Sequence, residues 1–273
     1  MARNVKASKR GFGYDFAAKT LDIYVDGVAT RKIGGESPKI YSTSTTMLYP
    51  LGTRLEVDER VFRYARAGSA HTRYVAACNF DQWTLTNEEP NASAAVGATS
   101  MSVVNTTATK DLYVGGWVAI CTSPIQVRRI IANDASDGTD TTIYLDGALE
   151  VAVTLNVTWV TGYPSIYYNT YAPGSVPAAG GNVDYISFVC IPVCTVAASS
   201  YFWGQTWGPC YGVAGATVPG STANQREIYF STAGNLWDYG DAGAGTGAQY
   251  AGYILPRTGS ASGDQFYMLQ LSP

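Results

Sequence analysis

The sequence predicts an all-β protein with little helix: an extended basic N-terminal arm followed by two small antiparallel β-sandwich or barrel units. Three observations carry that expectation. Beyond residue 75 no stretch sustains the i, i+3, i+4 spacing of an amphipathic helix. Short apolar runs separated by Gly, Asp, Asn and Pro recur about every ten residues, the rhythm of a sandwich or small barrel. Charge is also divided along the chain. Residues 1–73 hold 13 Lys and Arg against 7 acids, and residues 74–273 hold 5 against 14, so +6 and −9 sum to the net −3 of the whole.

Residues 1–53 read as the arm. Basic residues, Gly27, the Gly34-Gly35 pair, Pro38 and the Ser42–Thr46 run leave few continuous apolar stretches. One strand is expected at Thr20–Asp26, where Leu21, Ile23 and Val25 alternate with Asp22, Tyr24 and Asp26. Isolated in an arm, it needs a neighbour's sheet to satisfy its edges. Lys6, Lys9, Arg10, Arg31 and Lys32 are the arm's candidate contacts. They are too dispersed, and too far from any recognised module, to indicate direct nucleic-acid binding.

Residues 54–90 form an Arg-rich connecting segment. Val57, Val61 and Ala65 fit one face of a short helix, and Phe62 with Tyr64 fit one face of a strand; the pattern does not choose. Arg54, Arg60, Arg63, Arg66 and Arg73, interleaved with Phe62 and Tyr64, are the candidate interface, because Arg suits bidentate pairing with carboxylates across a contact. A solvated charged face is the plainer reading of the same residues.

From residue 91 the chain reads as β. The first unit, 91–164, has runs at Met101–Val104, Leu112–Cys121, Val127–Ile131, Thr141–Leu145 and Val157–Val160, with turns at Asn133–Gly138 and Asp146-Gly147. The second, 165–273, has a run apolar on both faces at Val183–Val193, interrupted by Pro192, then Tyr201–Trp207, Glu227–Phe230, Tyr250–Leu255 and Phe266–Leu271. The aromatic group Tyr201–Tyr211 serves as core, as interface anchors or as a platform for sugar rings.

Chemistry finds little support. His71 is the only histidine, which excludes histidine-rich metal sites, and its polar, basic stretch places it at a surface or interface. The five cysteines, Cys78, Cys121, Cys190, Cys194 and Cys210, have no CxxC spacing and read as buried free thiols. Asp134, Asp137 and Asp140 lack the alternating ligands of a Ca²⁺ loop and read as a hairpin turn. Glu150, Asp184 and Glu227 are the acids nearest apolar residues, but no spacing marks a hydrolytic pair. No cofactor is indicated. The basic start lacks an apolar stretch, and nothing approaches a membrane span, so a soluble chain made in a cytosol is expected.

The segment Gly52-Thr-Arg-Leu-Glu-Val-Asp-Glu-Arg-Val-Phe-Arg-Tyr-Ala-Arg-Ala-Gly68 resembles one found in tailed-bacteriophage virion structural proteins of the capsid decoration (cement, head-stabilising) type. Tyr113–Trp117, Thr142–Leu149, Trp203–Cys210 and Met268–Pro273 resemble the same group. The resemblance implies a non-enzymatic protein on the outer capsid surface of the virion, contacting the major capsid protein and bridging its neighbouring subunits. It also implies association with copies of itself, commonly as trimers. The alternative is a glycan- or receptor-binding adhesin of a head fibre or tail that uses Tyr201, Trp203 and Trp207.

Overall fold

The computed structural model describes residues 39–79, 85–175, 187–215, 226–238, 248–255 and 265–273, with three strands upstream of them. The protein is all-β, and the described residues contain no helix. β1 (Arg10–Asp15), β2 (Thr20–Val25) and β3 (Val28–Ile33) form a three-stranded antiparallel sheet in sequential order. This corrects the expectation of one isolated strand. β2 is the central strand, and both of its edges are paired within its own chain, Tyr24 with Gly11 and Leu21 with Ile33.

β4 (Arg54–Val57) and β5 (Arg60–Arg66) form a hairpin, and β6 (Ala77–Cys78) follows. Asp58 and Glu59 make its two-residue turn with φ of 48° and 65°, the doubly left-handed form that matches strand twist. The segment is therefore strand rather than helix. It is also no connector. β4, β5 and β6 belong to the same nine-stranded sheet as β13 (Phe188–Pro192), β14 (Tyr201–Gly212), β15 (Glu227–Phe230), β16 (Leu236–Trp237), β17 (Tyr250–Ile254) and β18 (Gln265–Gln270).

Between these two parts lies a six-stranded antiparallel sheet built wholly from residues 85–163. It comprises β7 (Leu85–Glu88), β8 (Ser100–Val104), β9 (Trp117–Ile120), β10 (Gln126–Asn133), β11 (Asp140–Leu145) and β12 (Val160–Tyr163), in the spatial order β7-β12-β9-β10-β11-β8. After β12 the chain returns to the large sheet, where Thr170 bridges Ala67 and Tyr171 bridges Cys78. The smaller sheet is thus an insertion into the larger unit. A Cβ on Gly115, at φ +77°, would lie 3.3 Å from the Leu51 carbonyl oxygen, so the two units meet closely there in a backbone conformation that favours glycine.

The insertion has one core. Alternate residues Met101, Val103, Val118, Ile120, Ile130 and Ile143 point inward and pack beneath Leu149 and Val153. Asp137 closes the β10–β11 turn, its carboxylate accepting hydrogen bonds from the Thr139 and Asp140 amides. Those bonds lower its pKa below the ordinary carboxylate value, with Asp140 the larger cause.

In the larger unit β5 is buried on both faces. Phe62 and Tyr64 enter a cluster with Leu55, Tyr49 and Trp203, while Ala65 enters another with Phe202 and Cys190. Its long-range partner is β14, paired from Tyr201↔Arg66 to Trp207↔Val61. Trp207 also begins the pairing of β14 with β18. At this changeover the register shifts, and Gln205 Nε2 donates to the Trp207 and Pro209 carbonyls at 3.1 and 2.9 Å. That side chain satisfies backbone acceptors the interrupted ladder leaves open. Gly204 is equally constrained, since a Cβ there would lie 2.6 Å from Cys190 Cβ.

Candidate functional site

The arginine segment is mostly used inside the chain. Arg63 Nη2 donates to the Pro273 oxygen at 2.8 Å and Nη1 to the Gly52 carbonyl at 3.3 Å. Its Nε is buried with no hydrogen-bond partner, and burial lowers its pKa from the usual guanidinium value. Arg66 donates to Asn169 and lies over the Tyr168 ring, 5.5 Å from its centroid. Arg60 lies over Phe62 at 5.5 Å and reaches Asp58 at 3.7 Å. These three are half-buried, whereas Arg54, paired with Glu56 at 3.0 Å, and Arg73 are exposed.

Phe62 and Tyr64 are 0% and 2% exposed. As parts of a candidate interface they are therefore corrected: they pack the chain's own core and offer no surface to a partner. The physical reason is that β4 and β14 flank β5 within the sheet while separate core clusters cover its two faces. Of the arm contacts, Lys6 and Lys9 lie outside the described residues. Arg10 opens β1 opposite Val25, and Arg31 and Lys32 stand on β3 opposite Ile23 and Asp22.

The aromatic group divides by burial along β14. Phe202 and Trp203 are buried, Tyr201 and Trp207 half-buried, and Tyr211 is exposed against Tyr74. Trp203 packs with Tyr49 and Tyr64 in a triangle of rings whose centroids are 5.1 Å apart. A sugar platform that includes Trp203 is therefore not assembled at the surface.

His71 is also internal, against the surface position expected of it. Its backbone exchanges two hydrogen bonds with Val196, its ring packs 5.4 Å from Phe202, and Nε2 lies 3.0 Å from Thr170 Oγ1. Thr170 Oγ1 donates to the Arg66 carbonyl, which leaves its lone pair for a hydrogen on His71 Nε2. Burial pulls the imidazole pKa down to about 4, only partly opposed by the hydrogen bond at Thr170.

Cys78, Cys190 and Cys210 are buried free thiols, Cys194 is half-buried and Cys121 is exposed. Burial pushes Cys78 up to about 11 and Cys210 up to about 12, so neither is a thiolate near neutrality. Glu150 is exposed and pairs with Arg128 at 2.7 Å, and Glu227 accepts from Tyr229 at 2.8 Å; Asp184 lies outside the described residues. Among the described residues no group of three or more His, Cys, Asp or Glu is placed to hold a metal ion. No helix among them is long and apolar enough to cross a membrane.

The largest feature that the sequence reading passed over is the outward face of the insertion. Cross-strand neighbours Tyr163, Trp117 and Arg129 form one row over β12, β9 and β10, and Thr161, Ala119 and Val127 form the next. The Cys121 amide donates to the Trp159 carbonyl at 2.8 Å, extending the array by another pair. Trp117, Trp159 and Tyr163 are each about half exposed, as are Val127 and Ile131. A signal for this face was present: 117–121 is apolar at both parities and 159–163 puts Trp159 and Tyr163 on the outward parity, although an antiparallel sheet with one solvated face alternates apolar with polar.

No protein-family model, curated protein or solved structure matches this chain.

Proposed function

We propose that this chain is a non-enzymatic structural protein of a tailed-phage virion that decorates the capsid and stabilises it by bridging neighbouring capsid subunits. The reading rests on the resemblance of residues 52–68 and the later stretches, and on the division of charge. The observation that carries it is that most of the arginine segment is already used inside the chain. Arg60, Arg63 and Arg66 are engaged within the chain and Arg54 pairs with Glu56, which leaves exposed Arg73 and, in the sequence, residues 1–38 with their 7 Lys and Arg against 4 acids. The contact to the shell is accordingly assigned to that leading segment. The segment 54–66 holds the body together instead.

The mechanism is mechanical. Each copy binds the major capsid protein at more than one point across a joint, so pressure from packaged DNA must break several contacts together. Linked weak contacts raise avidity without any strong single site. Association of the chain with its own copies, as the trimer of the resemblance or otherwise, adds to this linkage. The protein's expected location is the outer capsid surface.

Particles lacking the chain are expected to release DNA at lower temperature, or on milder Mg²⁺ depletion, than complete particles. Re-addition of the purified chain restores resistance. Equal release temperatures with and without it contradict the proposal.

A further inference from the structure

We infer that the outward face of the six-stranded sheet is a contact surface for a second copy of this chain. The inference deepens the proposed function at its self-association step and rests on that reading only there.

The face carries Trp117, Val127, Ile131, Trp159 and Tyr163, with Ile125 just ahead of β10 beside it, each between 48% and 64% exposed. Trp117, Val127 and Tyr163 share one side of β9, β10 and β12, as the register requires. Directly opposed side chains such as Trp117 and Tyr163 stand roughly 5 Å apart and diagonal ones such as Trp117 and Val127 roughly 7–8 Å, within reach of large side chains, so these three form one patch. Together the six offer about 700 Å² of open surface. That is close to the ~800 Å² each partner brings to a standard interface and above the ~300–600 Å² of the largest patch on a typical monomer.

The composition selects the occupant. Arg129 is the one charged residue in the rows that cross β12, β9 and β10, and no acid stands among them. A face so poor in charge cannot select a charged partner by complementarity. Apolar cores with aromatic anchors and few charges distinguish contacts between identical chains from transient ones. A second copy carries the same face and is present wherever the chain is made.

Cys121 supplies an internal reporter. It is the exposed cysteine among the described residues, and its backbone pairs with Trp159 at the edge of the patch.

The experiment is sedimentation velocity of the full chain over a hundredfold concentration range, with Trp117→Lys and Val127→Glu singly and together. The wild type is expected to sediment as an oligomer, and the double variant at the single-chain mass of 29.1 kDa. Tyr253→Lys, on an exposed position of β17, is expected to leave the oligomer intact. Alkylation of Cys121 in the wild type is expected to slow at least about fivefold from the dilute to the concentrated end, because thiol reactivity follows access. This second readout needs no variant, so it decides the matter even if the substitutions disturb folding. A wild type that stays monomeric, an oligomer that survives both charges, or Cys121 alkylation independent of concentration overturns the inference. Binding to particles is scored separately. Self-association without particle binding sinks the capsid reading and leaves this contact standing, and particle-bound single copies do the reverse.

Discussion

Replacing Phe62 with Ala is expected to destabilise the isolated chain by about 3–5 kcal/mol, the usual cost of emptying a buried phenylalanine site. The ring is fully buried beside Leu55, Tyr64 and Trp203, and its strand is enclosed between β4 and β14. A loss of that size is a large share of the ~5–15 kcal/mol that holds a domain together, and it lowers the melting temperature by roughly 10 °C. Arg54→Ala, four residues from the turn of the same hairpin, serves as the contrast. Its pair with Glu56 is solvent-exposed, so its removal costs about 1 kcal/mol or less. Thermal unfolding of the two variants without any partner present separates the readings of this segment. If the segment were an external contact strip, both substitutions would leave the melting of the lone chain unchanged.

Acid is expected to weaken the fold through His71. In the unfolded chain the imidazole titrates near its ordinary 6.5, and in the folded chain near about 4. Between these values the unfolded state binds the extra proton, so stability falls as the pH falls from 6.5 toward 4. Above 6.5 the contribution is constant, and below about 4 this group adds no further loss. The interval corresponds to about 3 kcal/mol. His71→Gln keeps an amide donor within reach of Thr170 but cannot titrate. Because the chain has one histidine, the difference between wild type and variant in denaturant midpoint isolates this group from the carboxylates. The wild type should lose stability faster than the variant between pH 6.5 and 4. Parallel curves would show that the imidazole charges in place without cost.

Much of the β architecture was legible because it is local. Glu227–Phe230 forms the expected strand, and the Asn133–Gly138 turn sits between β10 and β11 as its Asn, Asp and Gly content requires. Pro192 ends β13, in keeping with its missing donor. Where the expectation failed, the deciding contact came from far along the chain. β5 was ambiguous because its turn, Asp58-Glu59, carries no Asn-Gly or Asp-Gly signature and its principal partner, β14, begins at Tyr201. His71 stands in a polar stretch, yet Thr170, Val196 and Phe202 enclose it. Arg63 looked like a surface cation, and its partner is Pro273. The expected strand from Leu112 begins only at Trp117, because 110–115 turn and Gly115 adopts a positive φ against the Leu51 carbonyl.

The candidate site was less legible for the same reason. A cluster of arginines in sequence says which charges are near one another, not which are already paired. The outward aromatic face is the converse case. Trp117, Val127, Trp159 and Tyr163 are scattered over 47 positions and become neighbours only through the β12-β9-β10 order.

The most direct measurement is an image reconstruction of the intact particle at a resolution that traces this chain. The expected result is density for the chain on the outer shell over joints between capsid subunits, with its basic leading strands against the shell and the six-stranded insertions of neighbouring copies in contact. Density at the tail tip alone, or particles that carry no copy of the chain, would contradict the account.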